Sequence, residues 1–330
     1  MGLFSLKQQL YSYCLKGDIN KAYDYLQRLD ENKSLEKLTK KFYNRFFSEK
    51  PVFQYKVKDT WIRSIIKVYN QYFISVLTNK MNKKDAESLL MKQLIELLPT
   101  NETFGDIDSV EDRLAEEFKM KGFYFLGGVT PPFRGPYIWG KEESVEYEVS
   151  LPTGSKKVNV IFMSDFIMQS WLHFATFGGR TAGGWATKNA LYCVKERYEK
   201  VLDKPDFLYS YLAHEAQHFS DYEDFPCLLS RDLEYRAKLV ELIYHPLNNK
   251  VLMKKFLSDA DNNKENPHPY SSFVICTNLS KAIFNQDYES NLEKWKKIDS
   301  HLLSKYAKEL FQRHTDLLNK HGKDKVEGVI

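Results

Sequence analysis

The chain has 330 residues, 43% of them hydrophobic and 28% charged, which is the composition of an ordinary globular protein. Its 48 basic and 44 acidic residues are interspersed, so no basic stripe indicates a nucleic-acid partner. No apolar run approaches the roughly 18 residues needed to cross a bilayer, and no signal-peptide pattern opens the chain. We therefore expect a soluble, cytoplasmic protein without a membrane partner.

The four cysteines do not form a recognisable framework. No two of them are close enough in sequence for a CxxC metal site, and disulfide frameworks are expected mainly in small secreted chains. We expect free thiols in a reducing compartment at Cys14, Cys193, Cys227 and Cys276.

The first part of the chain, residues 1–105, is predicted to be helical throughout. Apolar side chains recur at helical spacing, and Asn82 is placed to cap a helix. The turn-rich segment Pro99–Asp108 is the predicted boundary of this region. We predict an antiparallel helical region there, and it is the surface that we would assign to a protein partner.

The second part, residues 106–330, has a mixed pattern. We predict an α+β, predominantly helical fold with a small mixed or antiparallel sheet, whose chemistry lies between residues 110 and 290. The predicted elements are a short strand at 123–126, a hairpin of 145–151 and 157–162, a helix at 166–176, a strand at 190–194, helices at 206–221 and 231–244, and a long carboxyl-terminal helix at about 291–321.

The segment His214-Glu215-Ala216-Gln217-His218 lies within the predicted helix 206–221. Residues four apart project from one face of a helix, so His214 and His218 can ligate a single zinc ion. Glu215 is rotated by about 100 degrees from His214, which places it beside such a metal as a general base for water. An apolar stripe supports the helix: Phe207, Leu208, Tyr211 and Leu212.

A third ligand is predicted on the next helix. Glu234 follows a connection that contains Pro226, which enforces a turn between the two helices. Helices joined by a short loop pack against each other, so Glu234 can reach the face that carries the histidines. Ala237, one turn later, would let the two helices approach closely.

This pattern of HExxH followed by a glutamate on the next helix resembles the gluzincin zinc metallopeptidases, over about Trp185 to Tyr244. The resemblance implies a zincin-like domain, one bound Zn²⁺ per chain and a peptide or protein substrate. It implies His214, His218 and Glu234 as metal ligands and Glu215 as general base. It also implies a substrate-binding strand before the HExxH helix, for which the candidates are Trp185, Ala186, Asn189 and Ala190.

One position departs from that family. Many gluzincins carry an acidic residue four positions after the ligand glutamate, where it orients the first histidine, and this chain has Lys238 there. A partner of this kind normally sets the tautomer of a ligating histidine. Asp221 or Asp224 are the candidates to replace it. The departure indicates a divergent member of the family and leaves an inactive relative as an alternative.

The remaining site residue to place is a group that stabilises the oxyanion of the reaction. His268 and Tyr270 are the candidates, and an incidental proline-rich loop is the alternative interpretation of the segment that holds them. A carboxylate di-iron site is disfavoured because no second ExxH is present.

Three functions follow from these residues. The first is a zinc-dependent endopeptidase or aminopeptidase that uses Glu215 as general base. The second is an inactive zincin-like binding protein that uses its helical amino-terminal region, and Lys238 favours it. The third is a purely structural zinc site, against which Glu215 argues because such a site needs no base.

Overall fold

The computed structural model of the chain describes residues 3–29, 33–186 and 190–330. Two compact units are formed, Met1–Glu142 with Met163–Ala182, and Glu143–Phe162 with Gly183–Ile330. Both contain helices and strands, and helices predominate, which confirms the predicted α+β class. In the described ranges, no helix is both long enough and apolar enough to span a membrane.

The first unit is built mainly from helices, as predicted. Asn82 caps the helix Lys83–Leu97 by accepting a hydrogen bond from the backbone N–H of Asp85 at 3.0 Å, and Asp59 caps the helix Thr60–Leu77 in the same way. The helices are α1 (Leu3–Leu15), α2 (Ile19–Gln27), α3 (Lys33–Phe42) with a π-helical turn (Tyr43–Phe47), α4 (Thr60–Leu77), α5 (Lys83–Leu97), α6 (Ile107–Met120) and α7 (Ser170–Ala175).

The polar segment Pro99–Asp108 lies inside this first unit. Helix α6 follows it and packs against α5 and against the first strand, Tyr124–Leu126, so the chain continues the same core beyond residue 105. That core contains fully buried residues from both sides of the segment, among them Phe73, Leu94 and Phe118.

Seven strands occur in the residues that the structure describes: β1 (Tyr124–Leu126), β2 (Val129–Thr130), β3 (Phe133–Arg134), β4 (Tyr137–Leu151), β5 (Gly154–Gln169), β6 (Gly184–Ala186) and β7 (Leu191–Val194). A five-stranded sheet has the order β1-β4-β5-β7-β6, so β6 lies at an edge, and β2 pairs with β3 separately. The predicted hairpin is present, but both of its strands are longer than expected.

The helix predicted from residue 166 begins only at Ser170. Strand β5 continues to Gln169, where buried Phe166 and Met168 alternate with the less buried Ile167 and Gln169. This alternation has the period of a strand, and it was hidden in the sequence by a short apolar run that fits either structure.

The second unit is mostly helical after β7. The long carboxyl-terminal helix begins at Ser300 rather than near 291, because Asp299 caps it by accepting hydrogen bonds from two backbone N–H groups. The helices are α8 (Lys195–Tyr198), α9 (Pro205–Phe207), α10 (His214–Asp224), α11 (Ser230–Tyr244), α12 (Met253–Asp259), α13 (Pro267–Phe284), α14 (Leu292–Trp295) and α15 (Ser300–His321), with π-helical turns at Leu208–Ala213 and Asn248–Leu252.

Helix α11 is central to the second unit. It packs against α10, α13 and α15, and every residue from Asp232 to Leu242 is buried. Ala216 on α10 and Ala237 on α11 are fully buried, which permits close approach of these two helices. The predicted HExxH helix and glutamate helix therefore lie side by side.

Candidate metal centre

The HExxH motif lies in a continuous helical segment, Pro205–Asp224, that contains one π-helical turn. Pro205 occupies its first turn, where a missing N–H does no harm. A π-helical turn, Leu208–Ala213, ends directly before His214, where α10 begins. Such turns occur frequently at functional sites because they change the direction in which the following side chains point.

The three predicted metal ligands converge. His214 Nε2 lies 3.2 Å from His218 Nε2, and the two oxygens of Glu234 lie 3.3 Å from His218 Nε2 and 3.6 Å from His214 Nε2. All three residues are nearly buried, with 9%, 7% and 8% of their surface exposed. The structure therefore brings together, from two helices, ligand atoms that could hold a metal ion.

This donor set fits zinc. Two imidazole nitrogens and one carboxylate oxygen are a typical catalytic zinc set, which leaves one coordination position open. Zinc bonds of about 2.0–2.1 Å to a tetrahedron of ligands imply ligand atoms about 3.3 Å apart. The 3.2 Å between the two histidine nitrogens and the 3.3 Å from His218 Nε2 to Glu234 Oε1 agree with that spacing, whereas the 3.6 Å to His214 Nε2 is measured from the other carboxylate oxygen, Oε2.

Glu241 is the residue that orients His214. Nδ1 of His214 donates a hydrogen bond to Glu241 Oε1 at 2.7 Å, and Glu241 is fully buried. Burial lowers the pKa of His214, but the bond to Glu241 and its charge outweigh this and raise the pKa to about 9. This bond directs Nε2 of His214 to the ligand cluster.

Among the described residues, neither predicted substitute for the missing acidic residue forms a hydrogen bond or ion pair with His214 or His218. Asp221 Oδ1 accepts hydrogen bonds from Gln217 and Arg236, both at 2.8 Å, and Asp224 lies near Lys323. Glu241 performs the orienting role from two turns after Glu234 on the same helix. Its spacing of seven residues, which keeps both on one helix face, is the signal that sequence reasoning missed.

Glu215 lies beside the ligands and not among them. It is partly buried and lines a cavity of about 380 Å³ that opens next to His214. Its carboxylate has no hydrogen bond or ion pair to any side chain in residues 9–29, 34–185 and 190–330. The other residues around the cavity are Gly183, Gly184, Tyr198, Ser210, Tyr211, Lys238, Lys255, Asp259, His268 and Pro269.

Of the two oxyanion candidates, only His268 faces this cavity. Its Nδ1 lies 2.7 Å from Glu234 Oε2, and its side chain is largely exposed. Tyr270 is buried on α13, away from the cavity lining, with Lys264 over its ring. Burial raises the pKa of Glu234, but His218, His268 and His214 together hold it well below its ordinary value.

The predicted substrate strand corresponds to edge strand β6. Trp185 and Ala186 lie in β6, opposite Tyr192 and Leu191 of β7, and Ala190 is buried just before β7. Asn189 lies outside the described residues. Strand β6 packs against α10, so its edge runs close to the HExxH helix.

Gly184 makes this packing possible. A Cβ atom there would lie 2.3 Å from the backbone oxygen of Tyr192 and 2.5 Å from the ring of Tyr211. The hydroxyl of Tyr211 donates a hydrogen bond to the same oxygen of Tyr192. Tyr211, in the π-helical turn before His214, therefore links this helix to strand β7 by a hydrogen bond. The sequence did not predict this contact.

No family model, curated protein or solved structure matches this chain. The interpretation of the site therefore depends on its own geometry and chemistry.

Proposed function

We propose that this protein is a zinc-dependent peptidase whose second unit is a divergent zincin-like, gluzincin-type domain. The observation that carries the proposal is the convergence of His214, His218 and Glu234, with Glu241 behind His214 and Glu215 beside the cluster. Cytoplasmic location, a peptide substrate and one zinc ion per chain belong to the same proposal.

His214, His218 and Glu234 would hold the zinc ion. When bound, zinc supplies Lewis acidity, which polarises a carbonyl and brings the pKa of water towards about 7. Glu215 faces the cavity and has no competing partner among the described side chains, so its carboxylate is available to accept a proton from water. The same carboxyl group then returns the proton to the departing amine.

The edge of β6 supports a peptide as the substrate. An extended chain can add to the edge strand of a sheet through backbone hydrogen bonds, which do not depend on most side chains of the peptide. Because β6 packs against α10, a peptide added there would pass the cavity that Glu215 lines. His268, which also lines the cavity, is the candidate to stabilise the oxyanion.

The alternative of an inactive binding protein depended on Lys238 standing where an orienting acid was expected. Glu241 occupies that chemical role at 2.7 Å from His214, which removes the observation that favoured the alternative. A structural zinc site is also less well supported, because the cluster adjoins an open cavity and a carboxylate suited to act as a base.

The test is hydrolysis of a mixed peptide pool by the zinc-loaded full chain, followed by mass spectrometry. The wild type should generate new termini that a chelator prevents. Glu215→Gln should lower turnover by about 100-fold or more while zinc content is unchanged. Zinc-loaded protein that cleaves nothing, or a Glu215→Gln variant as active as the wild type, would contradict the proposal.

A further inference from the structure

Lys238 is a buried cation next to the metal cluster, on the same face of α11 as Glu234 and Glu241. Only 4% of its surface is exposed, and it lines the cavity beside His214. Its ammonium group donates hydrogen bonds to the backbone oxygen of His268 and, at 2.7 Å, to Ser272 Oγ. Both acceptors are uncharged.

The ammonium group of Lys238 has no carboxylate in direct contact. Within the part of the chain that the structure describes, none forms an ion pair with its nitrogen within 4.0 Å, although Glu234, Glu241 and Asp259 attract it from farther away. An ammonium group has three N–H donors, and the two protein acceptors use two of them. A buried charge without a partner in contact is unfavourable, so a ligand anion that reached it would gain a direct ion pair.

A second cation faces the same cavity. Lys255 on α12 lies 3.6 Å from Glu241 Oε2 and is half exposed, so its flexible stem leaves the ammonium group free to reorient. The carboxylate of Glu241 is already hydrogen-bonded to His214. Asp259 also lines the cavity, but it is exposed, and water screens its charge.

We propose that this cavity is a specificity pocket for a substrate carboxylate, held by Lys238 at its buried end and by Lys255 from α12. The inference rests on the proposed peptidase function, and it names the substrate class: peptides with an acidic group next to the scissile bond. The carboxylate is either the side chain of an aspartate or glutamate, or the carboxyl terminus of the peptide.

The affinity of peptides for a protein variant that does not cleave them measures the preference for a carboxylate separately from catalysis. The probes are fluorescent, amidated peptides of neutral sequence in which a single Glu is moved through every position, with Gln at the same position as the match. A further probe is the neutral peptide with a free carboxyl terminus. Each is titrated against zinc-loaded Glu215→Gln protein.

We expect one Glu position, or the free terminus, to bind at least about tenfold more tightly than its neutral match, as a charged buried hydrogen bond would give. If a Glu-containing peptide binds more tightly, the carboxylate is a side chain. If the peptide with a free terminus binds more tightly, it is the terminal carboxylate. Adding Lys238→Met should abolish the preference, and adding Lys238→Arg should retain most of it. Equal affinity for all the probes, or a preference unchanged by Lys238→Met in protein with full zinc content, overturns the inference.

Lys255 provides a second variant that does not disturb the core. Lys255→Glu should reduce the preference for the acidic peptide at least threefold and improve binding of a Lys-containing match. An unchanged preference would overturn the pocket even if Lys238→Met failed to fold. Cleavage by the wild type without an acidic preference refutes this inference alone, whereas acid-dependent binding without any cleavage refutes the proposed peptidase alone.

Discussion

Glu241 Oε1 lies 2.7 Å from Nδ1 of His214, in the interior of the protein, seven residues after the proposed ligand Glu234 on the same helix. The bond joins the proposed metal-binding residues to a fully buried carboxylate and determines which nitrogen of His214 faces Glu234 and His218. Glu241 lies two helical turns from Glu234. Lys238, one turn from Glu234, is therefore not needed to orient His214.

The first prediction concerns this bond. Glu241→Gln should lower zinc affinity by about 10- to 100-fold, because an amide holds the ring less firmly and does not increase the basicity of the histidine. Competition with a fluorescent chelator measures the affinity. Glu223→Gln, an exposed change on α10, is the matched control and should leave it unchanged. Equal affinity for Glu241→Gln and wild type would remove Glu241 from the site.

The second prediction concerns the packing of β6 against Tyr211. Gly184→Ala should cost about 1–3 kcal/mol of unfolding free energy, because the new methyl group would meet Tyr192 and Tyr211 at 2.3 and 2.5 Å. Peptide turnover should fall while zinc content stays at one per chain. Gly105→Ala is the control, since nothing lies within 4 Å of its Cβ position. Equal urea midpoints for the two variants would contradict this packing.

The third prediction concerns the buried ion pair that joins α10 to α11. Asp221 is fully buried and accepts a hydrogen bond from Arg236 Nε at 2.8 Å, and Arg236 is itself buried. Asp221→Ala should destabilise the fold by about 3–5 kcal/mol, because it leaves a buried guanidinium without its partner. Asp224→Ala should change stability by less than about 0.5 kcal/mol. Urea unfolding compares them, and a loss for Asp221→Ala as small as that expected for Asp224→Ala would show that the pair is unimportant for stability.

The fourth prediction concerns pH. Burial lowers the pKa of Lys238 from 10.5 to about 8 in the folded protein. Between pH 8 and 10.5 the unfolded chain therefore binds the extra proton, and the stability of the wild type should rise with pH relative to Lys238→Met. The gain approaches about 3 kcal/mol over this range and is absent below pH 8.

Chemical unfolding of metal-free wild type and Lys238→Met, measured in parallel from pH 7 to 10.5, tests this. A constant difference in stability between the two proteins over that range would show that Lys238 keeps an ordinary pKa.

Sequence patterns predicted the helical class, the HExxH helix and the convergence of Glu234 on it, because helical spacing fixes which side chains share a face. They did not predict the extension of β5 to Gln169, since a short apolar run has no decisive period. The role of Glu241 was not predicted, because the family pattern places the orienting acid one turn after Glu234, where this chain has Lys238. The cavity lined by Lys238 and Lys255 depends on how α11, α12 and α13 pack, which no local pattern encodes.

The most direct measurement of the central claim is the zinc content of the purified full chain after zinc loading and exhaustive dialysis, by inductively coupled plasma mass spectrometry. The account predicts one zinc ion per chain for the wild type and much less than one for His214→Ala, His218→Ala and Glu234→Ala, with retained helical circular dichroism. Wild type without stoichiometric zinc, or variants that keep it, would contradict the account.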